Sequence, residues 1–203
     1  GPLPMFDRDA EAISEEFRAA MPPQDRARIL RGAALVVILS IQQPWHSVPA
    51  QFADVQAVGS ASRFLWGNKR KTWAFLMEHG ERLAASIGGN HEEAILTLLE
   101  VPGLGIVKAS FLLQMLTGEG ACLDLHNLDR LGLSRDAFKT PKTLKVETVR
   151  ARIATYCATW RAHGTSRHWW DSWCAHVATV YPNHFSDAGA VSSSHAVALH
   201  NRH

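Results

Sequence analysis

Apolar positions recur at helical spacing along most of the chain, and no run alternates with the two-residue period of a half-buried strand. Residues 5–20 read as a polar amphipathic helix with Ile13 and Phe17 on one face. Met21-Pro22-Pro23 closes it, because proline cannot continue a helix. From about Gln24 to Ile41 the apolar pattern thickens, and Ile29, Leu30, Leu35, Val36, Ile38 and Leu39 predict a helix that is mostly core. Pro44 then biases Gln43 away from α-helical angles. Residues 47–65 predict a short helical connector through Val48, Phe52, Val55 and Val58. Trp66-Gly67-Asn68 suits an entry turn, and the next helix is expected from Thr72 to about Ile87, with Trp73, Phe75, Leu76 and Leu83 in the core.

Gly88-Gly89-Asn90 breaks the pattern before a helix over Glu92–Glu100. Pro102-Gly103-Leu104-Gly105 separates it from a second apolar helix carrying Phe111, Leu112, Leu113, Met115 and Leu116. A short helix over Leu128–Leu133 follows, then Val146–Trp160 with Val149, Ile153 and Tyr156 inward, then a last helix over about His168–Val180. The expected class is all-α: one domain over 5–185, with its first and last segments in one lobe, about 47–130 in the other, and a polar tail over 186–203.

A chain of 203 residues is long enough for one substantial core or two small lobes sharing a cleft. The net charge of +2 permits a nucleic-acid partner without demanding one, since a local patch matters more than the total. Three widely spaced cysteines argue against a disulfide framework and fit a reducing cytosol. The run Ala33–Leu39 is too short to span a bilayer, no signal peptide is apparent, and Gly1-Pro2-Leu3-Pro4 reads as an expression scar. No Cys/His spacing resembles a zinc site, so neither metal nor cofactor is expected, and the protein is expected to be a cytoplasmic monomer with no membrane partner.

The candidate chemistry gathers around the Pro-Gly-x-Gly turn. Two glycines two apart allow a tight hairpin, and the helix after it starts with free N–H groups that can hold a phosphate. Gly103, Leu104, Gly105, Val107 and Lys108 are the candidates for that grip, with the cationic run Lys69, Arg70 and Lys71 as a second phosphate contact or simply a solvated face. Asp124 is a lone acid after an apolar approach (Ala121, Cys122, Leu123), either functional or a helix cap. Gln42, Gln43 and Trp45 could read or stack on an extruded base, or could cap a helix end and pack in the core. The Trp169-Trp170-Asp171-Ser172-Trp173 cluster suits packing of the last helix, with a base pocket including Asp171 as the alternative.

The hairpin VPGLG and the acid segment LDLHN, with the spacing from Val101 to Asp124, resemble the helix-hairpin-helix DNA glycosylase superfamily. There an LPGVG-like hairpin grips the DNA backbone and an essential Asp follows in a VDTH-like segment. The match covers roughly Leu35 to Tyr181, and LSIQQPW resembles the family's LSxQ segment, with Gln42 at the position that faces DNA. Bifunctional relatives carry a nucleophilic lysine two residues after the last hairpin glycine. Here that position is Val107. Lys108 lies one residue on, about 100° around the helix, and is expected to point elsewhere, towards a phosphate or solvent. No four-cysteine cluster follows Asp124, so the iron–sulfur cluster of some relatives should be absent.

WGNKRKTW, PGLGIVKASF, CLDLHN and WWDSWC together are similar to a bacteriophage branch associated with thymine hypermodification, the amino acid:DNA transferases and glutamyl/putrescinyl-thymine pyrophosphorylases. That resemblance implies transfer of an amino acid or amine onto phosphorylated 5-hydroxymethyluracil in duplex DNA, with the base flipped and phosphate or pyrophosphate displaced. Asp124 would serve as base or amine anchor, with His126 and Asn127 as hydrogen-bond donors. A monofunctional glycosylase using Asp124 and water is the alternative, and a non-catalytic DNA-binding module the third.

Overall fold

Two helices bury most of their length in the interior, and the others cover them. The computed structural model describes residues 10–41, 43, 45–143 and 145–180. Gln42, residues 5–9 of the expected first helix and the 186–203 tail lie outside the described residues. Helix α1 is Ala10–Ala19 and α2 is Pro23–Ser40, which begins at proline after Pro22 and buries ten residues from Ala27 to Leu39. From Ala33 to Leu39 every residue is buried, so that half of the helix is central.

Helix α3 (Val48–Val58) ends at Gly59, whose φ of +66° few other residues adopt. Helix α4 (Asn68–Ala85) follows Gly67. It packs along α2, and Gly80 leaves room for the Arg31 guanidinium, which donates to the Leu76 carbonyl at 3.1 Å. Helix α5 (His91–Leu98) is capped by Asn90, and α6 (Ile106–Thr117) is the second buried helix, stopped by left-handed Gly118. Helices α7 (Leu125–Arg130), α8 (Val146–Ala162) and α9 (Ser166–Val180) complete the fold.

The protein is all-helical, with no strand among the described residues, and no helix there is long and apolar enough to cross a membrane. Three sequence expectations shift. Helix α4 starts at Asn68 rather than Thr72, so the cationic run occupies its first turn. Helix α7 covers Leu125–Arg130 rather than Leu128–Leu133, because the Asp124 carboxylate accepts the Asn127 amide and starts the helix there. Trp73 and Phe75 are only half-buried, since one face of α4 has no cover, and Val58 is exposed.

Candidate active site

A cavity of about 570 Å³ opens between the end of α2, the start of α6, the segment before α7, the loop before α8, and α9. That volume suits a small-molecule or base-sized ligand. Its apolar side includes Trp45, Phe111 and Trp173. Trp45 meets Trp173 edge to face with centroids 5.1 Å apart, and Phe111 lies 5.4 Å from Trp173. The three rings are mutually crossed and almost fully buried, so they form an apolar core edge to the cavity. Gln43, Lys108, Asp124 and His176 supply polar groups on the same walls.

Asp124 is delivered to the wall by a buried clamp. Tyr156, fully buried on α8, donates its hydroxyl to the Ala121 carbonyl at 2.6 Å and accepts the Leu123 amide at 3.0 Å. Ser110 on α6 accepts the Ala121 amide at 3.2 Å. Gly120, at φ +141°, lies so close to α6 that a Cβ would sit 2.5 Å from the Ser110 carbonyl. Burial holds the Tyr156 phenol well above its ordinary range, so it stays protonated and can donate. The segment is thus fixed on both sides of Cys122, and Asp124 emerges half-buried, with one carboxylate oxygen 3.0 Å from the Asn127 amide.

The hairpin is held from two sides. Thr72 of α4 places its hydroxyl against the Pro102 carbonyl, and Thr140 accepts the Ile106 amide at 3.1 Å. Gly103 has φ +87°, and a Cβ there would meet the Thr72 hydroxyl at 2.8 Å. The Leu104 amide already donates to Val101, and its side chain is buried, so Leu104 is a core residue rather than a phosphate contact. The amides of Val107 and Lys108, in the first turn of α6, have no acceptor among the described residues.

The cavity brings together Gln43, Trp45, Val107, Lys108 and Asp124. Lys108 borders the cavity beside Val107. His126 and Asn127 do not line the cavity. The Asn127 amide group donates to the Cys122 carbonyl at 2.9 Å, which is a structural contact. The His126 ring stacks on His176 at 3.8 Å and reaches the site only through it. Asp171 is exposed and pairs with Arg167 at 3.2 Å, away from the pocket. Lys69 is buried beneath Trp66, with its ammonium 3.0 Å from the Ile41 carbonyl, so it satisfies the end of α2 instead of reaching a phosphate. Burial lowers its pKa. Arg70 and Lys71 remain exposed.

Sequence reasoning missed His176, Arg135 and Lys139. His176 follows Trp173 by one helical turn, a spacing that puts both on one face of α9. Desolvation, and then the His126 ring beside it, hold the His176 pKa below its ordinary value, while Asp124 pulls it upward. An imidazole that stays neutral near pH 7 is ready to accept a proton. Asp124, His126 and His176 do not form a metal-binding group, and no such group occurs among the described residues.

Comparison finds no family model, no curated protein and no solved structure that matches the chain.

Proposed function

We propose that the protein is a DNA-modifying enzyme of the helix-hairpin-helix glycosylase fold, acting on a pyrimidine drawn out of the duplex. Its substrate would be phosphorylated 5-hydroxymethyluracil, and its product the same base carrying an amino acid or other amine. The observation that carries the reading is Asp124, a carboxylate on the wall of a base-sized, aromatic-sided cavity whose rim is the first turn after the Pro102-Gly103 bend. Flipping costs a few kcal/mol of stacking, which burial of the base in the cavity would offset.

In the proposed step Asp124 takes a proton from the incoming ammonium. The freed amine nitrogen forms a bond to the exocyclic methylene carbon, and the carbon–oxygen bond to the phosphoryl group breaks with its electron pair leaving on oxygen. The departing phosphate then takes up the proton, so charge balances and Asp124 is restored. His176, beside Asp124 and neutral, can relay that proton.

The placement of Lys108 on this wall also favours a second reading, base excision with Lys108 as an amine nucleophile at the sugar. One assay separates the two. The protein is incubated with duplex containing phosphorylated 5-hydroxymethyluracil and candidate amines, and the DNA is digested to nucleosides for mass spectrometry. A heavier intact nucleoside supports transfer. Released base, or a borohydride-trapped protein–DNA adduct, overturns it in favour of excision.

A further inference from the structure

The cavity wall carries three cations from two separate elements: Lys108 in the first turn of α6, and Arg135 and Lys139 on the loop between α7 and α8. That loop is not a loose flap. Phe138 is buried and meets the Tyr156 ring edge-on at 5.1 Å, the Lys139 carbonyl accepts Arg152 at 2.6 Å, and Thr140 accepts the Ile106 amide. The last contact ties the loop directly to the turn that carries Lys108. Arg135 is paired with Asp129 at 3.1 Å, but neither the Lys108 nor the Lys139 ammonium has an anionic partner among the described residues. The acids on the same wall are Asp124 and Asp136. Two lysines without an acidic partner among the described residues border one cavity, with the exposed Arg135 beside them, and that set has the chemistry to receive an anion.

We infer that Lys108, Lys139 and Arg135 form a subsite for a phosphoryl group, the one carried on the base and released as phosphate or pyrophosphate. The inference rests on the transfer reading for its biological ligand, but the binding it requires does not. The same chemistry could instead meet a phosphate of the DNA backbone, and the two sources differ in what they predict. A leaving-group subsite binds the free anion in the cavity and gives modified DNA an advantage over unmodified DNA. A backbone contact gives neither.

The test uses the intact protein and isothermal titration with sodium pyrophosphate and with inorganic phosphate, at matched ionic strength. Lys108→Gln with Lys139→Gln is the comparison variant, and its affinity for unmodified duplex is measured alongside. Saturable one-to-one binding of pyrophosphate is expected, weakened about tenfold or more in the double variant, because each charge-assisted contact contributes more than a neutral one. Affinity for unmodified duplex should change far less than affinity for pyrophosphate. Absence of saturable anion binding overturns the subsite, as does an equal loss of affinity for unmodified duplex, which assigns the lysines to the backbone. Pyrophosphate binding without amine transfer overturns the functional reading and leaves the subsite standing. Transfer without pyrophosphate binding does the reverse.

Discussion

Tyr156→Phe isolates the clamp that presents Asp124. The substitution keeps the ring against Phe138 and removes one oxygen, which donates to the Ala121 carbonyl at 2.6 Å and accepts the Leu123 amide at 3.0 Å. Ala121 and Leu123 are fully buried, and the phenylalanine ring leaves little space for a replacing water. Each orphaned group costs about 1–3 kcal/mol, so the pair should cost about 2–4 kcal/mol once some relaxation is allowed. At about 2–4 °C per kcal/mol for a chain of this size, Tm should fall by about 5–15 °C. Urea unfolding followed by tryptophan fluorescence measures it, and the midpoint should move without a change in slope. Turnover should fall as well, because the acid loses its fixed approach, whereas affinity for unmodified duplex should hold, since Thr72 and Thr140 still brace the hairpin. A stability loss below about 0.5 kcal/mol, the range of ordinary surface changes, would refute the clamp.

Three further outcomes follow from the same geometry. Gly103→Ala forces a Cβ into a left-handed φ and against Thr72, so it should cost about 1–2 kcal/mol and weaken duplex binding, as measured by denaturation and by titration with labelled DNA. Lys71→Ala should reduce the salt dependence of DNA binding by about one counterion, whereas Lys69→Met should leave the slope unchanged because that ammonium faces the Ile41 carbonyl. Stability should fall as pH drops below about 6.5, because burial depresses the pKa of His91 and of His176 and the unfolded chain then binds protons that the folded chain refuses. A His91→Gln variant should flatten that dependence in Tm measured across pH.

The helices and their order were legible because apolar spacing is a local signal. Pro22 and Pro23 mark a boundary that needs no tertiary information, whereas the connector read over 47–65 ran past the end that Gly59 sets. The hairpin and its distant acid could also be read, since glycine spacing and a single charge in an apolar segment are visible one residue at a time. What could not be read depends on contacts between distant parts of the chain. Lys69 stands in a cationic run and looks like surface, yet the unpaired carbonyl of Ile41, 28 residues earlier, draws its ammonium inward. Asp171 lies among tryptophans that turn inward while its own position on α9 turns out. His176 and the Arg135–Lys139 loop became part of the site only when Trp173 of α9 met Phe111 of α6 and Phe138 packed on Tyr156 of α8. The local pattern therefore indicated which residue carries the acid, while tertiary packing decided which residues surround it.

The most direct measurement is the single-turnover rate of Asp124→Asn on duplex bearing phosphorylated 5-hydroxymethyluracil, with DNA affinity measured in parallel. Asparagine is an equally good helix cap, so α7 should still begin at Leu125, and only the charge and the proton acceptor are lost. The account predicts a rate lower by about a hundredfold or more with affinity nearly unchanged. Turnover at the wild-type rate would contradict it.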